Sequence, residues 1–159
     1  MIAIQQLDIK KLKQDDPLPF HLLLLADETK EAIEKYIYSS LVFTASIAQN
    51  PDCPIAVWVL YKKSPKIVEL KNIAILPQYQ NKGLGTVILH KIKADMKQLN
   101  YQELWVGTGD HSIQQLNFYR KNGFKDRGTI QNFFTDNYPY PIIENGKALK
   151  DMILLSQQL

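Results

Sequence analysis

The chain has 159 residues, 45% of them hydrophobic and 22% charged, a composition that fills the core of one domain spanning residues 1–159 and leaves no room for a second. Its 19 basic and 16 acidic residues are scattered and sum to a formal +3, without the clustered cations that grip nucleic acid or an anionic membrane. The longest apolar run, LLLLA at Leu22–Ala26, is far below the ~18 residues of a membrane span.

Cys53 is the single cysteine, which excludes an internal disulfide, and the Met1 end lacks the basic flank and small-residue cleavage site of a signal peptide. The expected compartment is therefore the cytoplasm. His21, His90 and His111 lie far apart without ligand spacing, so no metal site is expected.

Residues 2–9, IAIQQLDI, predict a first strand. A helix follows Pro19, with apolar positions at Phe20, Leu23 and Leu24, and ETKEAIEKYI predicts a second, with Ala32, Ile33, Tyr36 and Ile37 on one side. The runs LVFTASIA (41–48) and IAVWVLYKK (55–63), separated by QNPDCP, predict a hairpin. A fourth strand, IVELKNIAIL, ends at Pro77, which cannot sit inside a central strand.

From Gly85 onward, Ile88, Leu89, Ile92, Met96 and Leu99 recur at steps of three and four, the mark of a helix packed on a sheet and stopped by Asn100. ELWVG is a fifth strand. In HSIQQLNFYRKNG, Ser112 and Gln115 have the spacing of a capping box, and Gly123 suits the left-handed residue that ends a helix. Phe124 onward and MILLSQQL supply two last strands, joined by the long NFFTDNYPYPIIENGKA. The fold class is α/β, with a mixed, partly antiparallel central sheet of about seven strands and about four helices.

One stretch stands out. In QYQNKGLGTVILH (78–90), two of only seven glycines stand at a helix start, although glycine weakens a helix by about 1 kcal/mol relative to alanine. Strand, glycine-rich turn and helix start together offer unpaired N–H groups and a positive dipole end to an anion such as a diphosphate. The dinucleotide fingerprint GxGxxG would need glycine where Ile88 stands, and three successive strands at 41–77 do not suit that fold; a P-loop sequence is lacking altogether.

QNKGLG instead resembles the Gln/Arg-x-x-Gly-x-Gly/Ala signature of the GCN5-related N-acetyltransferases (GNAT), behind NIAIL and Pro77. LNFYRKNGF (116–124) is similar to the family's LYxKxGF helix. The resemblance implies a fold splayed between strands 4 and 5, with acetyl-coenzyme A as co-substrate. It implies that Gln80, Asn81, Lys82, Gly83, Leu84, Gly85 and Thr86 hold the pyrophosphate. Ile73, Ala74 and Ile75 would pair with pantetheine as an added strand, an N–H near Ile75 serving the oxyanion.

It also implies transfer of the acetyl group to a primary amine by direct attack in a ternary complex. A small molecule or a peptide end would supply the amine. Such an amine, with a pKa near 10.4, is mostly protonated at pH 7 and gains from a base. Glu69, six residues before Ile75, matches the base of the histone-acetylating branch; its alternative is a solvent-facing carboxylate paired with Lys71. The branch that acetylates ribosomal protein N-termini carries a glutamate where this chain has Gly107. Asp110 is either a base or a helix cap.

Tyr119 matches the family's acid. Donation from a phenol of pKa ~10 to a thiolate of ~8.5 is uphill by about 2 kcal/mol, which a positive helix end and a desolvated site are expected to offset. Ser112, where relatives carry a cofactor-contacting asparagine, caps the helix, binds pantetheine, or both. DHS at 110–112 cannot align as a triad, and Cys53 is expected to be inert. Asp27, Glu28 and Glu31 fall on the acceptor side or form a solvated face. Phe133, Phe134, Tyr138 and Tyr140 wall the acceptor pocket or form a homodimer contact. The alternative to an enzyme is a non-catalytic acyl-coenzyme A binding module, whose mark would be an eroded QNKGLG or a missing Tyr119.

Overall fold

The expected hairpin lies near one end of a seven-stranded sheet in a computed structural model that describes residues 1–159. In chain order the strands are β1 (Leu7–Lys11), β2 (Ser40–Ile47), β3 (Pro54–Lys62), β4 (Ile67–Ile75), β5 (Glu103–Gly109), β6 (Lys125–Ile130), the short β7 (Ile143–Glu144) and β8 (Lys147–Ala148), and β9 (Met152–Gln158). The helices are α1 (Phe20–Leu23), α2 (Lys30–Glu34), α3 (Leu84–Gln98), α4 (Ile113–Lys121) and α5 (Phe133–Asn137). None is long and apolar enough to cross a membrane.

The sheet runs β1-β2-β3-β4-β5-β9-β6, and every neighbouring pair is antiparallel except β4 with β5. That one parallel pair needs a crossover, and α3 supplies it. Ile88, Leu89, Ile92 and Met96 are fully enclosed on one sheet face with Leu70, Leu104 and Leu155. On the other face, Leu22, Leu23 and Ile33 of α1 and α2 pack on Val57, Val59 and Ala74.

Three expectations need correction. The first strand begins at Leu7, because Ile4–Gln6 form a single 3-10 turn. Leu99 is exposed: α3 ends one residue earlier, and Asn100 adopts φ 68° while the Tyr101 N–H reaches back to the Met96 carbonyl at 3.1 Å. The long connector holds α5 and the β7–β8 ribbon, giving five helices where about four were expected.

Candidate active site

The glycine-bearing turn closes β4 and opens α3. Asn81 (φ 58°) and Gly83 (φ 81°) are both left-handed, and the Gln80 side-chain amide donates to the Ile75 carbonyl at 2.7 Å, tying the loop to the strand end. The Val87 N–H bonds the Gly83 carbonyl at 3.2 Å. The amides from Asn81 to Thr86 have no acceptor within the chain. They are the orphan donors of a helix start, with the dipole's positive end behind them. A Cβ on Gly85 would make ordinary contacts with the Phe118 ring at 3.4 Å and Ile75 Cδ1 at 3.7 Å, where α3 packs beside α4 and β4. Lys82 curls back, its Nζ donating to the Gln78 carbonyl at 2.9 Å.

β4 and β5 pair only from Ile67–Glu103 to Leu70–Val106. Beyond Leu70 the strands part, so Ile73, Ala74 and Ile75 pair with β3 as their only neighbouring strand, the Ile75 carbonyl also accepting from Gln80. A register shift at the same level leaves Lys71 without a partner on β3, because Leu60 faces Leu70 and Val59 faces Asn72. This bulge reverses the alternation. Val68 and Leu70 face the α3 side, and after the extra residue it is Ile73 and Ile75 that do so. Glu69, Asn72 and Ala74 therefore share the α1–α2 side.

Where the strands part, a cavity of about 290 Å³ opens, lined by Glu69, Lys71 and Gly107. Glu69 is only 6% exposed, so the solvent-facing alternative is wrong, yet its expected partner is correct: Lys71 Nζ lies 3.5 Å from Glu69 Oε2. The Lys71 ammonium also stands 5.7 Å over Tyr36 and 5.9 Å over Tyr61. Asp27, on the cavity wall, accepts from the Tyr138 hydroxyl at 2.5 Å, the Tyr36 hydroxyl at 3.1 Å and the Glu28 N–H at 2.8 Å. Burial first, and the Asp27 charge with it, push both tyrosines well above the usual value. Both stay protonated donors. Desolvation, then the charges of Glu144 and Asp27, raise Glu28.

Tyr119 is buried, edge-on to Phe118 at 5.2 Å and Phe124 at 5.4 Å. Desolvation alone acts on its hydroxyl and raises its pKa. Burial thus opposes loss of the proton rather than easing it, contrary to expectation. Tyr119 also lies toward the C-terminal end of α4, away from that helix's positive end. Ser112 precedes α4 without a capping side chain; its Oγ donates to Glu144 Oε2 at 2.5 Å. Asp110 caps nothing either. It accepts the Lys150 and Asp151 N–H groups, both at 3.2 Å, and anchors the approach to β9.

The family model for the acetyltransferase (GNAT) family matches residues 8–124. The N-acetyltransferase YvbK of Bacillus subtilis is 34% identical over 152 residues, 96% of each chain. A GNAT family acetyltransferase from Elizabethkingia anophelis, solved with acetyl-CoA bound, superposes with a TM-score of 0.91 at 39% identity, covering 97% of this chain and 99% of that one. A Bacillus subtilis acetyltransferase in complex with CoA gives 0.85 at 33%, covering 96% and 99%.

The chain belongs to the GNAT family. It is an acetyltransferase, and the mixed sheet splayed between β4 and β5 is the fold its two motifs implied. In this GNAT chain position 107 carries no side chain, and the flexible end of Met152 lies over it, its Sδ 2.5 Å from where a Cβ would stand. Gly107 itself can supply no base. Sequence reasoning named Lys71 only as a partner of Glu69, and it missed Tyr61 and Glu144. The bulge that aims Lys71 leaves no local signal, and Glu144 meets Ser112 across 32 residues.

Proposed function

We propose that this protein transfers an acetyl group from acetyl-coenzyme A to a primary amine seated in the cavity beside Glu69. The observation that carries the reading is the run of unclaimed amides from Asn81 to Thr86 at the end of a strand whose outer edge is open from Lys71 to Ile75. A diphosphate fits the first and an extended diamide the second. Gln80 fixes the loop, Asn81 and Gly83 provide its left-handed turns, Leu84, Gly85 and Thr86 open the helix, and Lys82 adds positive charge. Acetyl-coenzyme A, when bound, supplies the activated thioester that an amine attacks without a covalent enzyme intermediate.

The chain's own groups manage the protons. The Glu69 carboxylate, at the mouth of the splay, takes one from the acceptor ammonium, and Lys71 disfavours a charged amine beside it. The Tyr119 hydroxyl donates a hydrogen bond to the departing sulfur. Full proton transfer is more uphill than for a free phenol, since burial raises its pKa. Ser112 is committed to Glu144, and it can still offer its oxygen lone pair to a pantetheine amide. The intact loop and Tyr119 weigh against a binding module without turnover.

The test is thiol release from acetyl-coenzyme A with a panel of amines, for wild type and Glu69→Gln. The reading expects amine-dependent release, lowered 10²–10⁴-fold in kcat/KM by the substitution. Release that ignores the amine, or an unchanged Glu69→Gln rate and pH profile, contradicts it.

A further inference from the structure

We infer that the acceptor is a free amino acid with an apolar side chain, its carboxylate held by Lys35. The inference rests on the preceding reading, in which the amine sits beside Glu69. Four charged side chains line the cavity, two acidic (Asp27, Glu69) and two basic (Lys35, Lys71), so the lining carries no net formal charge. Such a lining complements a zwitterion better than a polyamine, whose second cation would meet lysines.

The bonding assigns the roles further. Glu69 and Lys71 pair at 3.5 Å. Asp27 already accepts two tyrosine hydroxyls and a backbone N–H on its two oxygens, which leaves one of its roughly four lone-pair sites. Lys35 has no carboxylate within ion-pair distance. It is the cavity's one cation without a carboxylate partner, exposed at the end of α2. An anionic group on the acceptor satisfies it.

Size and walls agree. At about 290 Å³ the cavity stands at the small end of ligand sites, which run from about 300 to 1,000 Å³, and so suits a molecule of amino-acid dimensions. Tyr36, Tyr61, Phe133 and Tyr138 supply aromatic surface for an apolar side chain.

The experiment compares phenylalanine with phenethylamine and leucine with 3-methylbutylamine, in wild type and Lys35→Met. Thiol release should favour each amino acid over its decarboxylated partner by at least tenfold in kcat/KM. Lys35→Met should abolish the preference by raising KM for the amino acids, leaving KM for acetyl-coenzyme A unchanged. Lys35 is exposed, so the variant should fold, and circular dichroism checks this. A second readout needs no turnover. By calorimetry, N-acetylphenylalanine should bind the wild type, bind Lys35→Met at least tenfold more weakly, and bind more tightly than N-acetylphenethylamine.

Equal use of phenethylamine and phenylalanine, or a preference unaltered by Lys35→Met, overturns the inference while amine-dependent release upholds the acetyltransferase reading. Preference for an acidic peptide or a polyamine also overturns it. Lys35-dependent binding without any release would uphold the carboxylate site and contradict the assignment of the base.

Discussion

At Tyr119 the structure sets two demands against each other. Burial holds the hydroxyl protonated at every pH of interest and also makes the proton harder to surrender. A hydrogen bond to the developing thiolate satisfies both. Tyr119→Phe should therefore lower kcat by about 10²-fold and spare KM for acetyl-coenzyme A. Because the hydroxyl has no partner in the chain, Tm should hardly move. Loss of affinity with unchanged kcat in steady-state kinetics would show that the residue only packs.

Glu28 makes a pH prediction. Its pKa is raised above the ordinary 4.5 by desolvation and by Glu144 and Asp27, so the folded state binds its proton more tightly than the unfolded chain. Stability from this group is present below pH 4.5 and is lost as pH rises through the folded value. Glu28→Gln should give a small rise in Tm at pH 7 that fades below about pH 4. Melts across pH check this, and a gain confined to acid would reverse the sign.

At the scale of elements, the motif LNFYRKNGF, which carried the family resemblance, is a helix end. The Phe124 N–H bonds the Tyr119 carbonyl at 3.0 Å, the Gly123 N–H bonds the Arg120 carbonyl at 3.2 Å, and Gly123 has φ 93°. The same closure sets the Phe124 ring on Tyr119. Its glycine and aromatic residue are thus there to stop α4 and fix the tyrosine. Gly123→Ala, forced left-handed, should cost about 1–2 kcal/mol in denaturant unfolding; no loss would mean the turn relaxes freely.

Both this helix end and the loop at 80–86 were legible because they are local: residues within a few positions dictate the backbone. The bulge at Lys71 was not, since it exists only as a mismatch between β3 and β4. Ser112 shows the same limit. Its spacing to Gln115 predicted a cap, and a glutamate 32 residues away claimed the hydroxyl instead.

At the scale of the molecule, element order sufficed for the fold because seven strands and a crossover helix have few ways to bury both sheet faces. It did not reveal that β9 inserts between β5 and β6, which brings Met152 over Gly107. Nor did it show that Tyr138 reaches Asp27 across 111 residues, joining α5 to the α1–α2 connection and roofing the cavity. Every such feature is a long-range pairing, and each shapes the acceptor side; the side that meets the co-substrate is built from neighbours in sequence.

The central claim is that amides at the end of β4 grip a diphosphate. The most direct measurement is calorimetric titration of wild type and Gly83→Val with acetyl-coenzyme A and with S-acetylpantetheine, which lacks the diphosphate. A valine at φ 81° distorts the loop, so acetyl-coenzyme A should bind the variant at least tenfold more weakly, while the truncated thioester binds both proteins alike. Equal affinity of the two proteins for acetyl-coenzyme A would contradict the claim.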